Sequence, residues 1–149
     1  MSETHRWRWG NVPIPEPHVI GLGAGLALQA LVGWTIALPA WARGIGWLLA
    51  VGGLALIVWA VRAAARVPMA RPDALILSGP YAWSRNPMYV GWTVVYLGVA
   101  LGVGGGWALV LLPGVLAFTH VAVMYEERSL QDRFGEAYQA YRARVRRYL

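Results

Sequence analysis

The chain has no cysteine and no lysine, and only seven acidic residues among 149. Without cysteine there is no disulfide framework, no thiolate metal site and no thiol nucleophile. Charged residues make up 13% of the sequence, about half the share usual in a soluble domain. With 58% hydrophobic residues, 18 glycines and nine tryptophans, this composition belongs to a chain that lives mostly in lipid. Histidine is also scarce, at three residues, and His5 and His18 read as incidental. A length of 149 residues suits one domain, and no internal repeat or low-complexity linker divides it.

The net charge of +6 comes entirely from arginine, and its distribution argues against nucleic acid. The 13 arginines lie between hydrophobic runs rather than along one basic face, so they read as topology signals and headgroup contacts.

A helical span needs about 20 apolar residues. Four candidates appear, at about 19–40, 44–61, 87–101 and 107–125. The last two come from forty residues without a formal charge, Asn86 to Tyr125, divided by Gly102-Val103-Gly104-Gly105-Gly106. With the N-terminus inside, twelve arginines fall on the inner side and Arg43 alone on the outer side. That asymmetry predicts four spans with both termini cytoplasmic; a bacterial-type inner membrane is the expected location. The competing reading makes the first span a signal peptide cleaved near Ala40-Trp41-Ala42, but its apolar stretch exceeds the usual signal core. Trp34, Trp41, Trp47 and Trp107 fall near span ends, as an aromatic belt requires. Gly21, Gly23, Gly25, Gly52 and Gly53 read as helix-packing notches.

Two segments are not spans. Residues 66–85 form an inner loop punctuated by Pro68, Pro72 and Pro80. After Tyr125, the series Leu130, Phe134, Tyr138, Tyr141, Val145 and Tyr148 recurs at helical spacing among arginines. It predicts an amphipathic helix over about 126–148, lying on the inner membrane surface and bent or closely packed at Gly135.

Polar residues gather where the charge-free hairpin meets this inner side. Asn86-Pro87 is a helix start, with Asn as cap and Pro in the first turn. That helix end, with Arg85 beside it, favours an anion such as a phosphate or a carboxylate. Tyr81 and Tyr89 offer ring faces, and Glu126 and Glu127 return to the same side with groups for an ammonium or a ribose hydroxyl. Such a combination suits an amphoteric, nucleoside-containing ligand. Singly, each residue has a plainer role: a cap, a topology anchor, a dipole partner for the terminal helix. Together they favour a site. His120 stands near the inner end of the fourth span, and the scarcity of ligating residues argues against a metal there.

The stretch Leu75-Ile76-Leu77-Ser78-Gly79-Pro80-Tyr81-Ala82-Trp83-Ser84-Arg85-Asn86-Pro87-Met88-Tyr89-Val90-Gly91 resembles the signature of the isoprenylcysteine carboxyl methyltransferase family. That broad family includes the phospholipid methyltransferase-like proteins of bacteria. A second block, Glu126-Glu127-Arg128-Ser129-Leu130 followed by Phe134-Gly135-Glu136-Ala137-Tyr138-Gln139-Ala140-Tyr141, is similar to the family's ending. The resemblance covers residues 66–149, about half the chain. It implies an all-α polytopic membrane enzyme with one domain over 1–149. Four transmembrane helices, a cytosolic loop and the C-terminal amphipathic helix would form its cofactor pocket. It implies S-adenosylmethionine as methyl donor and a lipophilic, membrane-embedded acceptor, either a prenylcysteine-like carboxylate or a lipid headgroup.

Carried over residue by residue, the cofactor positions are Asp73, Ala74, Leu75, Ile76, Tyr81, Asn86, Pro87, Met88, Tyr89 and Glu126, with Arg85 beside them. Asn86 stands where the family usually has His, and Ala122 where the eukaryotic prenylcysteine enzymes carry an arginine for the substrate carboxylate. Arg144 or Arg128 is the candidate replacement on the substrate side, together with Glu127 and His120. A carboxylate acceptor needs no base, whereas an amine acceptor does, and Glu127 or His120 is then the candidate. The alternatives are a non-catalytic lipid-binding scaffold and a small transporter. No acidic residue lies deep within a predicted span, which counts against transport.

Overall fold

A computed structural model describes residues 15–65 and 74–149. These form four helices: α1 (Glu16–Val32), α2 (Ala40–Ala64), α3 (Pro87–Val103) and α4 (Gly106–Arg144). A single 3-10 turn, Gly79–Ala82, precedes α3, and no strand forms among the described residues. The all-α expectation holds. By length and composition α2 and α4 are able to cross a membrane, whereas α1 and α3 are apolar but shorter, at 17 residues each.

The first predicted span stops early. Gly33 takes a left-handed conformation (φ 75°) and ends α1, eight residues short of the expected limit at Ala40. The chain then runs without helix to Pro39, pairing Thr35 with Gly105, and the Ile36 N–H donates to the Gly104 carbonyl at 2.9 Å. Hydropathy does not register this stop, because Trp34, Ile36 and Leu38 are as apolar as the helix before them. The turn between α3 and α4 falls at the predicted glycines, with Gly104 at φ 66°.

Packing follows two pairs. Helix α2 lies along α3, and α1 along α4; α3 and α4 meet directly over a much shorter stretch. Glycine permits the first pairing. A Cβ on Gly53 would stand 2.7 Å from the Gly91 carbonyl oxygen, and one on Gly46 2.5 Å from the Gly102 nitrogen. Between α1 and α4, Gly25 abuts the Ala108 backbone. The buried Tyr96 hydroxyl donates to the Ala108 carbonyl at 2.8 Å, tying α3 to the same place. Arg43, the lone arginine of the predicted outer side, donates Nε–H to the Gly102 carbonyl at 3.0 Å near the end of α3.

The predicted boundary at Tyr125 is absent. Helix α4 continues through Glu126 and bends only at Gly135 (φ 49°, ψ −120°), the position expected to bend. A change from apolar to charged side chains does not interrupt backbone hydrogen bonding; a glycine in the left-handed region does. The helix ends at Arg144 rather than near 148, and residues 145–149 run on as a strap across the start of α3. Tyr138 and Tyr141, on the apolar stripe expected to face the membrane, are buried against protein instead. Tyr141 donates its hydroxyl proton to the Tyr81 carbonyl at 2.7 Å, fastening the bent segment to the 3-10 turn.

Candidate functional site

Pro87 opens α3 in its first turn, as expected, but Asn86 does not cap it through its side chain. The Asn86 Nδ2 amide instead donates to Glu127 Oε1 at 3.3 Å and to the Arg147 carbonyl at 3.1 Å. Its own backbone N–H is taken by Ser84 Oγ at 3.2 Å. A buried amide facing a carboxylate gains a charge-assisted bond, which outcompetes a cap to neutral N–H groups.

Glu127 is the centre of this cluster. Arg147 approaches it with Nε at 3.2 and 3.1 Å from the two carboxylate oxygens and Nη2 at 3.0 Å, while Arg85 Nη2 lies at 3.5 Å. The side chains of Glu127 and Arg85 are each 8% exposed, against 27% for Arg147. Two guanidinium groups and an amide occupy the Glu127 oxygens, so this carboxylate is a structural partner rather than a free base. The strap completes the arrangement. The Arg85 N–H donates to the Arg146 carbonyl at 2.9 Å, and Ser84 Oγ to the Arg147 carbonyl at 3.4 Å.

Glu126 is oriented differently. Its Oε2 accepts from the Tyr89 hydroxyl at 3.3 Å, and its side chain keeps access to the surface. The protein around it raises its pKa through lost hydration; the Tyr89 hydrogen bond opposes that shift and the neighbouring Glu127 charge adds to it. Burial also pushes the Tyr141 hydroxyl up to about 12, and Tyr81 is raised for the same reason, with Glu126 contributing. Both phenols are neutral at physiological pH, and Tyr141 acts as a donor.

Several buried donors beside this cluster make no well-formed hydrogen bond among the described residues: the Tyr81 hydroxyl, Arg85 Nε and Nη1, and the Tyr138 hydroxyl, which lies against the Arg85 guanidinium. Unmade buried hydrogen bonds are costly. A guanidinium edge flanked by phenols is suited to an anionic group such as a carboxylate.

An apolar groove of about 750 Å³ opens between α3 and α4, walled by Val90, Val94, Leu116 and Val121. Its polar residues are Tyr89, Thr93, Thr119, His120 and Tyr148. His120 Nδ1 lies 2.9 Å from the Tyr148 hydroxyl, so the strap reaches this groove as well as Glu127. Tyr89 borders the groove and also bonds Glu126, linking the apolar space to the charged cluster.

The structure therefore brings Tyr81, Arg85, Asn86, Tyr89, Glu126, Glu127 and His120 to one end of the helices. Of the remaining predicted residues, Pro87 and Met88 are buried, with Met88 in the core beside Ile57 and Tyr81. Ile76 packs on that same core, Leu75 is half-buried and Ala74 is exposed; Asp73 lies outside the described residues. Arg144 donates to the Ala140 carbonyl of its own helix at 3.2 Å, and Arg128 sits over the Tyr125 ring at 5.8 Å. Neither borders the groove.

Two residues escaped the sequence reading. Arg147 is one of six arginines after Tyr125, and nothing in the pattern separates it from Arg146. His18 is not incidental: it is buried between α3 and α4, and a histidine adjoining the start of an apolar run was the available signal.

Comparison with curated proteins and with solved structures gives no match. A family model described as phospholipid methyltransferase matches residues 41–137, which takes in α2, α3, both glutamates and most of α4. The match spans well over half of the chain, and the protein belongs to the phospholipid methyltransferase family of membrane methyltransferases.

Proposed function

We propose that the protein transfers a methyl group from S-adenosylmethionine to the amine headgroup of a membrane lipid. The reaction would take place at the arginine-rich face of a four-span bundle with both termini on that side. One observation carries the reading: the apolar groove borders Tyr89, whose hydroxyl holds Glu126, with the His120–Tyr148 pair in the same groove.

The donor's fit is supported by the orphaned buried donors. Arg85 Nε and Nη1, with the Tyr81 and Tyr138 hydroxyls, would hold its carboxylate, and Glu126 would meet its ammonium group. When bound, S-adenosylmethionine supplies an electrophilic methyl. The chain's own residues would bind and orient both partners and manage one proton.

Two features favour an amine over a carboxylate acceptor. Among the described residues no arginine borders the groove, and Ala122 stands where the resemblance to the prenylcysteine enzymes would place a carboxylate-binding arginine. Tyrosine rings and a nearby glutamate instead suit a cationic headgroup. An ammonium must lose its proton before it can attack, which requires a base. Glu127 is occupied by two arginines, leaving His120. With Nδ1–H donated to Tyr148, its Nε2 lone pair would take the proton.

The test is transfer of labelled methyl from S-adenosylmethionine to total membrane lipid by the purified protein. Label in an amine lipid supports the reading. Label in a carboxyl ester instead would replace the acceptor class, and intact donor binding with no transfer to any lipid would refute the enzyme.

A further inference from the structure

His18 lies on α1, outside the segment that matches the family model. It is 2% exposed, and both ring nitrogens are engaged. Thr93 of α3 spends its only hydroxyl proton on the Tyr89 carbonyl at 2.9 Å, so it must accept from His18 Nε2, also at 2.9 Å. A neutral imidazole with its proton on Nε2 then presents Nδ1 as acceptor for the Thr119 hydroxyl of α4, 3.4 Å away. The result is one directional chain, Thr119 to His18 to Thr93 to the Tyr89 carbonyl. An edge-on Tyr96 ring, 6.3 Å between centroids, packs beside it.

The location gives this chain a consequence. Thr93 and Thr119 both border the apolar groove, and α3 and α4 meet each other directly over only a short stretch. Each is instead backed by a different helix, α2 behind α3 and α1 behind α4. The imidazole is thus a strut between the two walls. It ends on the backbone of Tyr89, whose hydroxyl holds Glu126, and on the residue before His120.

We propose that His18 is a positioning residue: it sets the gap between α3 and α4, and thereby how the acceptor's hydrocarbon fits beside Tyr89 and His120. The acceptor part rests on the methyl-transfer reading above; the strut does not.

The absence of cysteine permits a direct test. Spin labels at Leu97→Cys and Phe118→Cys, neither of which borders the groove, report the α3–α4 distance in lipid nanodiscs. His18→Ala should shift or broaden that distance, and His18→Gln, which offers one donor and one acceptor, should restore it. In parallel, His18→Ala should raise the KM for the lipid acceptor about five- to thirtyfold, the factor expected for one or two buried hydrogen bonds, while the donor KM stays unchanged. Thr119→Val keeps the volume, removes one bond, and should broaden the distance less; it serves if His18→Ala does not fold. An unchanged distance in His18→Ala, or in Thr119→Val where that variant stands in, overturns the strut. So does His18→Gln failing to restore the distance, while a donor KM that moves as far as the acceptor's overturns the acceptor part. If the unmodified protein transfers no methyl group, the proposed function fails, while the distances still decide the strut.

Discussion

Replacing Glu127 with Gln examines the centre of the buried charge cluster. The change keeps the shape of the side chain and removes the charge that Arg85 and Arg147 share. The two arginines should respond differently, because 27% of the Arg147 side chain is exposed and only 8% of Arg85. Arg147 is able to turn its guanidinium to water; Arg85 is not, and two of its nitrogens already make no well-formed hydrogen bond among the described residues. An uncompensated buried charge costs about 3–5 kcal/mol, so Glu127→Gln should lose about that much stability. Arg147→Ala removes charge-assisted bonds from a half-exposed partner and leaves Arg85 on Glu127, which suggests about 1–2 kcal/mol. The paired replacement Arg85→Met with Glu127→Met should recover most of the loss, since an apolar pair of similar volume removes the desolvation cost. Denaturant titration in detergent, followed by tryptophan fluorescence, measures all three. Arg147→Ala costing as much as Glu127→Gln, or a double variant no better than the single one, would refute this assignment.

Glu126→Gln should keep or slightly raise stability while abolishing donor binding, measured by unfolding and by equilibrium binding of S-adenosylmethionine. The sign follows from its raised pKa: the stabilising contribution of the protonated form is full below the ordinary value of 4.5 and is lost as pH rises through the folded value. Glu126→Gln should therefore flatten the fall in stability above pH 4.5, and an unchanged slope would contradict the placement. Gly98→Ala sets a Cβ against the Ala50 nitrogen and 2.6 Å from the Gly46 carbonyl oxygen, and should cost about 1–3 kcal/mol. Gly23→Ala meets open space and should be neutral or stabilising by up to about 1 kcal/mol in the same titration. Tyr141→Phe, which strands the buried Tyr81 carbonyl, should lose about 1–3 kcal/mol and loosen the bent end of α4, read as faster proteolysis near Gly135.

The start of α3 and the turn at Gly104 were legible because proline fixes the backbone and glycine frees it for a left-handed turn. The bend at Gly135 was legible for the same reason. The end of α1 was not, since Gly33 lies inside an apolar stretch that hydropathy reads as continuous. Nor was the uninterrupted passage of α4 through Glu126, where side-chain chemistry changes and backbone geometry does not. In the site, the glutamates, Arg85 and Tyr89 stood out as polar residues beside a long uncharged run. Their division of labour did not: which glutamate is enclosed by arginine depends on where the strap brings Arg147. The role of Asn86 was misread because local capping was weighed without the carboxylate that reaches it from 41 residues away. His18 depends on Thr93 and Thr119 from two other helices, a convergence that no one-dimensional pattern carries.

The proposed function requires the groove between α3 and α4 to deliver a lipid amine to a methyl donor held near Arg85 and Glu126. Its most direct test uses the purified protein in nanodiscs of defined composition with labelled S-adenosylmethionine. One set contains a lipid with an ethanolamine headgroup, the other the same lipid with a choline headgroup, whose nitrogen has no lone pair to attack with. The account predicts label in the ethanolamine lipid alone, and its loss in Glu126→Gln. Equal labelling in both, or none in either with the donor bound, would contradict it.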